Sequence, residues 1–393
     1  MIFRLGVKEF IRNIYLNILT ILQLTVTFIL VILLVSSVAS RLRLYKPFSQ
    51  DFQSKGAIIH TNSSPDPDSF FWRKEEIINK YPFIKDITGL YVASIDTNNY
   101  PLNIWAYDDK IVENFTPILE EGSWIDTSLD SGELKAVISQ NNYGIKVGDV
   151  IQGKTFNNTE EIDIAIEIIG VLREGANIVG SGGIDINNDD YRSFYTSYNF
   201  SQEEVPLLLM SIDSLERNNI NSSLANKALV TFYSDAGSEE LAELSRDFML
   251  IDMEEINERS ITYISKQLYI LLPIIICILI LVIVSSFSIS LINAKRQLKN
   301  YGIYYMCGSR WLQCGLINLV SSFMTLLFSI LLSFTVLLGF YVIGSFDEIV
   351  IEFGLYQFLA CLIVALIQLA FSSIAPFILI NKTTAKEVIS NNG

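Results

Sequence analysis

The chain has 393 residues, half of them hydrophobic and only 18% charged, with a formal net charge of −14. The apolar residues are gathered into four long blocks, which excludes an ordinary soluble fold, and the negative balance argues against a nucleic-acid partner, whose phosphates require a basic surface. A single histidine leaves no multi-histidine metal site, and the absence of a Gly-x-x-x-x-Gly-Lys-Ser/Thr stretch excludes P-loop nucleotide binding by this chain.

Residues 1–13 form a predicted amphipathic basic helix in which Arg4, Lys8 and Arg12 alternate with Phe3, Leu5, Val7, Phe10 and Ile11. It leads into the apolar run Ile14 to Ala39, which is too long for the core of a signal peptide and has no small-residue cleavage site. We read residues 14–40 as a retained first span. Thr20, Gln23 and Thr27 recur along it at helical spacing, either as a stripe packed closely on a neighbouring helix or as a substrate-facing stripe.

Residues 41–266 have the opposite character. They carry 37 Asp and Glu against 19 Lys and Arg, a net −18, whereas the rest of the chain carries 5 against 9, a net +4. Apolar and β-branched runs at Leu90 to Ile95, Lys135 to Ser139, Ile162 to Leu172 and Ala228 to Tyr233 alternate with Gly, Asn and Asp turns, which predicts a mixed α+β domain. Helices are expected over Phe71 to Lys80 and Gly237 to Phe248. A third, over Asp252 to Gln267, is expected to run directly into the second span as a rigid stalk. The cysteines Cys277, Cys307, Cys314 and Cys361 all lie outside this domain, so its stability must come from its core. His60 reads as a surface residue. Asp185, Asn187 and Asp189 have the opening spacing of a calcium loop, but Asp190 replaces the required glycine and Thr196 the bidentate glutamate, so a solvated turn is expected and no metal site. Phe70, Phe71, Trp72, Trp105 and Trp124 are candidate substrate contacts, with burial in the core as the competing expectation.

The second span occupies residues 267–293, its apolar run from Tyr269 to Ile292 containing Pro273, which is expected to kink it. Residues 294–311 are a basic island with Lys295, Arg296, Lys299 and Arg310 and no acidic residue, which the positive-inside rule places in the cytoplasm. Spans at 312–343 and 355–380 follow. The short segment 344–354 between them carries Asp347, Glu348 and Glu352 and is expected outside, and the tail 381–393, with Lys382 and Lys386, returns inside. Both termini are then cytoplasmic and the large domain extracytoplasmic. None of the apolar runs contains an Asp, Glu, Lys, Arg or His, which argues against an ion-coupled carrier or proton pump. A helix continuing inward from the second span exposes Ile303, Met306 and Trp311 among cations, suited to docking in a groove on a soluble partner. Gly308 is expected to end that helix and Ser309 to cap the next. The competing reading is a basic hairpin resting on anionic lipid.

One span, a large outer domain, then three spans and this basic loop together resemble the permease subunits of the MacB, FtsX and lipoprotein-releasing type of ABC transporter, the type VII or mechanotransmission family. The family's loop typically reads Arg-x-x-Glu-Ile-Gly-Ile-Leu-x-Ala-Leu-Gly-Ala. The segment from Lys299 to Ser309 matches at Gly302, Ile303, Gly308 and the small Ser309, and departs at Asn300, where the family usually has Glu. That departure suits the less regular half of a heterodimer. Leu119-Glu-Glu-Gly122-Ser-Trp, Ala136-Val-Ile-Ser139, Gly144-Ile-Lys-Val-Gly148-Asp149 and Ile166-Glu-Ile-Ile-Gly170-Val-Leu resemble the family's core periplasmic domain in order and spacing. Thr384-Ala-Lys-Glu-Val-Ile389 is similar to the family's C-terminal end.

The resemblance implies an integral membrane α-helical protein of the bacterial plasma membrane with four transmembrane helices in a 1+3 arrangement and a large mixed α+β extracytoplasmic domain between helices 1 and 2. It implies a permease that is not itself an enzyme. Its partners would be a cytoplasmic ABC ATPase subunit that binds ATP and Mg, a second permease copy or homologue forming a homo- or heterodimer, and membrane lipids. The ATPase-coupling loop would comprise Lys295, Arg296, Lys299, Asn300, Gly302, Ile303, Met306, Gly308 and Arg310. The work done would be export or extraction of a peptide, antibiotic or lipid-linked substrate. The alternatives are FtsX-like activation of a cell-wall hydrolase, or lipoprotein release.

Overall fold

The computed structural model describes residues 2–60, 74–97, 101–126, 133–157, 160–180, 188–197, 205–233, 236–343 and 354–382. The chain divides into two units, one made of Met1–Arg41 with Lys266–Gly393 and the other of Leu42–Ser265.

In chain order the elements are α1 (Ile2–Arg12), α2 (Ile14–Tyr45), β1 (Gly56–His60), α3 (Lys74–Lys80), β2 (Ile84–Asp96), β3 (Pro101–Tyr107), α4 (Asp109–Asn114), β4 (Leu119–Gly122), β5 (Leu134–Ile138), β6 (Val150–Asn157) and β7 (Glu160–Leu172). There follow β8 (Asn177–Val179), β9 (Tyr195–Ser197), β10 (Leu207–Ser211), α5 (Ile212–Arg217), β11 (Ser223–Phe232), α6 (Ser238–Asp247), β12 (Met249–Asp252), α7 (Met253–Met306), α8 (Trp311–Ile343) and α9 (Leu355–Lys382). The strand runs expected from sequence fall in β2, β5, β7 and β11. The two predicted helices appear as α3 and α6, with residues 71–73 outside the described ones.

The unit from Leu42 to Ser265 is organised on one mixed sheet of strand order β12-β1-β11-β2-β3-β10-β5-β7-β4, with β6 paired to β7 and β2. Successive side chains of a strand point to opposite faces, and here both faces are covered. In β10, Leu208 and Met210 join one core cluster and Leu207 and Leu209 the other, which is why the strand reads as an unbroken apolar run. Ile77 of α3, Leu215 of α5 and Leu244 of α6 close the first face. The second is closed by Phe48 and Phe52, by Ile111 and Val112 of α4, by Tyr191 and Phe194, and by Met253, Ile256 and Ile264 from the start of α7.

The four sequence stretches that resemble a known outer domain come together on this sheet. β5 lies parallel to β7, and β4 antiparallel to it on the other side. Gly122 sits at φ +88 and a Cβ there would lie 2.2 Å from the Ile169 carbonyl oxygen, so only glycine lets β4 approach β7. The turn from Gly144 to Asp149 is tied by the Asp149 carboxylate, which accepts from Lys146 N at 2.8 Å, and by Gly148 N donating to Ile168 O at 2.8 Å.

In the other unit, α2, α7, α8 and α9 are long and apolar enough to cross a membrane. Their exposed faces are apolar, and polar side chains are buried between them beside an apolar cluster of Leu24, Phe28, Val282 and Leu326. Leu30, Ile276, Leu331 and Phe358 are exposed, whereas Asn17, Thr25, Ser290, Asn318, Ser321 and Gln368 are buried between helices. That distribution suits hydrocarbon, where small and hydroxyl residues hold helices together. The Thr20, Gln23, Thr27 stripe packs inward: Gln23 Nε2 donates to Ser285 Oγ at 2.6 Å, and Thr20 and Thr27 return their hydroxyl protons to the carbonyls of Leu16 and Gln23. α7 continues through Pro273 as one helix of 54 residues.

Candidate functional site

The basic island forms the last turns of α7 and the turn to α8. Asn293, Gln297 and Tyr301, four residues apart, are buried, so Lys295, Arg296 and Lys299 on the other side are exposed. Asn300 is half-buried and Gly302 buried. Ile303 is 43% exposed, Tyr305 42% and Met306 61%, and beyond the turn Leu312 is 62% exposed. Ile303, Met306 and Leu312 thus present apolar surface, and Arg310 is exposed beside them. The side chain of Trp311 lies outside the described residues.

The helix end is set by Gly308 at φ +95. Ser309 N donates to Tyr304 O and Gly308 N to Tyr305 O, each at 3.0 Å, the paired bonds of a Schellman motif. The expected cap of the next helix shifts by one residue. α8 begins at Trp311, so Arg310 takes the cap position, and its N–H donates to Gln313 Oε1 at 2.9 Å. Gln313 supplies the returning half of a capping box, a role Ser309 has no partner to complete.

Sequence reading missed the contact that steadies this segment. α1 packs through Gly6, Glu9 and Phe10. A Cβ on Gly6 would lie 2.5 Å from Val320 Cγ1 of α8. Glu9 is 6% exposed, and Tyr301 donates its hydroxyl to Glu9 Oε1 at 2.8 Å. Burial pushes the Glu9 carboxyl up to about 7, opposed by the Tyr301 hydrogen bond and the Arg12 guanidinium. Arg12 reaches the next residue along. With the Asn300 amide oriented to present its oxygen, Oδ1 accepts from Arg12 Nη2 at 2.6 Å and Nη1 at 3.1 Å. Asn300 thus stands against a cation of this same chain. The available signal was Glu9 itself, the only acid of α1, placed between Gly6 and Phe10 on the helix's inward face.

In the Leu42–Ser265 unit, Phe70, Phe71 and Trp72 lie outside the described residues. Trp105 is half-buried on β3 and packs on the second core cluster. Trp124 packs on the same cluster, and its Nε1 donates to Val112 O at 3.0 Å. One edge of Trp124 also lines a cleft of about 290 Å³ with Ser123, Ile125, Lys135, Ser211 and Arg217. Trp105 is not part of that cleft.

Asp189 of the incomplete calcium pattern is committed elsewhere. Its carboxylate holds Lys227 Nζ at 3.1 Å, with side-chain exposures of 8% and 1%. Burial lowers the Lys227 pKa, and Asp189 works against that shift. Asp185 and Asn187 lie outside the described residues. His60 is half-buried opposite Lys227 across β1 and β11, and burial followed by the Lys227 charge lowers its pKa. Among the described residues no His, Cys, Asp and Glu cluster has the makings of a metal site.

The ends of the two long helices that belong to this unit share one joint. The Tyr45 hydroxyl donates to Asn257 Oδ1, Tyr191 N donates to Ser260 Oγ at 3.0 Å, and the Arg192 guanidinium lies 3.6 Å above the Tyr263 ring.

No protein-family profile and no curated protein sequence matches this chain. Two solved structures similar to part of it are the periplasmic region of MacB from Actinobacillus actinomycetemcomitans and the extracellular domain of the noncanonical ABC-type transporter YknZ from Gram-positive bacteria. The first is 13% identical, covers 52% of this chain and 92% of its own, and has a TM-score of 0.28. The second is 12% identical, covers 48% and 87%, and has a TM-score of 0.26.

Proposed function

We propose that this chain is the permease subunit of an ABC transporter, lodged in the bacterial plasma membrane with both termini and the 294–311 segment cytoplasmic and the 41–266 domain outside. A separate subunit binds ATP and Mg and docks on the end of α7. The observation that carries this reading is the exposed apolar patch of Ile303 and Met306, set among Lys295, Arg296, Lys299 and Arg310. Such a patch on a helix end fits a groove on a soluble partner, and the cations match an acidic rim. A second permease copy or homologue completes the pair. ATP closure at the patch moves α7 as a lever, and the joint at Asn257, Ser260 and Tyr263 passes that motion to the outer domain. The spans have no charged lining, so work is delivered outside the membrane. The Trp124 cleft is the proposed first contact for an exported or extracted peptide, antibiotic or lipid-linked substrate.

The test is affinity purification of the full chain from its native membrane, beside Ile303→Asp and Met306→Asp variants. Wild type is expected to bring down a P-loop ATPase, and each variant to lose at least tenfold of it, equivalent to about 1.4 kcal/mol or more of docking energy. Unchanged recovery in both variants would sink the docking patch. The substrate, or a hydrolase, is identified by what else remains bound.

A further inference from the structure

Within the bundle, four helices converge on a small polar cavity of about 20 Å³, lined among others by Thr20 of α2, Ser286 and Asn293 of α7, Ser321 and Thr325 of α8, and Gln368 of α9. A space of that size takes one water molecule and no more. Asn293 is 8% exposed and Gln368 2%, and neither Asn293 Oδ1 nor Gln368 Oε1 receives a hydrogen bond. An unpaired amide oxygen in this setting carries the full desolvation penalty of the group. Two such oxygens from different helices on one cavity are a doubled cost with a single remedy.

The wall chemistry selects the occupant. Thr20 and Thr325 have already given their hydroxyl protons to the carbonyls of Leu16 and Ser321. They face the cavity as acceptors, like the two amide oxygens. The hydroxyls of Ser286 and Ser321 make no hydrogen bond to another described residue and remain free to donate. The site therefore needs a species that gives two hydrogen bonds and accepts one or two. It has no carboxylate to offset a dehydrated cation, and burying an uncompensated charge is far more costly than burying a neutral donor.

We propose that this cavity binds a single water molecule that donates to Asn293 Oδ1 and Gln368 Oε1 and accepts from Ser286 or Ser321. The water is the exchangeable link between α7, which carries the basic segment, and α9. A bond made through water can be re-formed after a small shift of one helix, whereas direct amide pairing would fix the register.

Two measurements on the full chain in lipid nanodiscs test this: a structure at a resolution that places ordered water, and apparent melting temperatures of wild type, Asn293→Leu, Gln368→Met and the double variant, each in sodium and in choline buffer. The expected density is one peak within hydrogen-bonding reach of both amide oxygens. Each single variant melts several degrees lower than wild type. The double variant melts no lower than the worse single one, because the shared water is already lost, and sodium changes nothing. An empty cavity, or losses that add in the double variant, overturns the assignment. So does a sodium-dependent rise in melting temperature that Gln368→Met abolishes, which would make the cavity a cation site. If the variants do not fold, the density in wild type decides alone.

Discussion

Glu9 and Tyr301 lie 292 residues apart in sequence and share a buried hydrogen bond, so Glu9 is the residue whose ionisation this end of the bundle has to accommodate. The folded carboxyl keeps its proton up to about pH 7, whereas the unfolded one releases it near its ordinary value of 4.5. Between those values the folded state holds more protons, so stability falls as pH rises through that window and levels off above it. Glu9→Gln keeps an acceptor for Tyr301 and removes the charge. We expect it to gain about 1–3 kcal/mol at pH 8 and nothing at pH 4, read by thermal unfolding at both pH values. An equal gain at both would show that ionisation is not the cause. The buried pair of Asp189 and Lys227 calls for the opposite treatment. Asp189→Asn leaves the ammonium without its carboxylate and Lys227→Met the carboxylate without its ammonium, so each should cost about 3–5 kcal/mol in urea unfolding, while Asp189→Leu combined with Lys227→Met should be nearly neutral, because breaking such a pair costs more than replacing it whole. A double variant that loses as much as the two single ones together would count against this account.

At the scale of elements, the joint between α7 and α8 depends on one backbone conformation. Gly308 has open space around it, so its glycine is required by φ +95 and not by crowding. Gly308→Ala should therefore cost about 1 kcal/mol, and Gly308→Asn less, in thermal unfolding of the full chain. No loss in the alanine variant would mean that the turn has an alternative geometry. This ending was legible from the sequence, since a glycine after an apolar and basic helical run has few other uses. The cap of α8 was not. Ser309 and Arg310 both precede the helix, and the choice was made by Gln313 reaching back to the Arg310 N–H. α6 was equally legible, expected over Gly237 to Phe248 and found at Ser238–Asp247.

For the molecule as a whole, the decisive property is which side of the membrane each part occupies. The four cysteines report on it, because the Leu42–Ser265 unit contains none and Cys307 is exposed beside Gly308 while Cys314 is buried. An impermeant maleimide should leave Cys307 unlabelled in intact cells and label it after permeabilisation. Labelling in intact cells would reverse the orientation proposed above.

The sequence by itself determined the four membrane-length helices, the acidic domain between the first two, and the exposure of Ile303 and Met306 at the end of α7. These properties are local, because length, charge balance and helical spacing act over a few turns of chain. The tertiary structure alone decided the strand order that brings β4, β5 and β7 together, the Glu9 contact with Tyr301, the use of Asp189 by Lys227, and the meeting of Asn293 with Gln368 around one cavity. Each depends on groups hundreds or tens of residues apart whose free energy is realised only when burial removes water from both. No periodicity in the chain records that event.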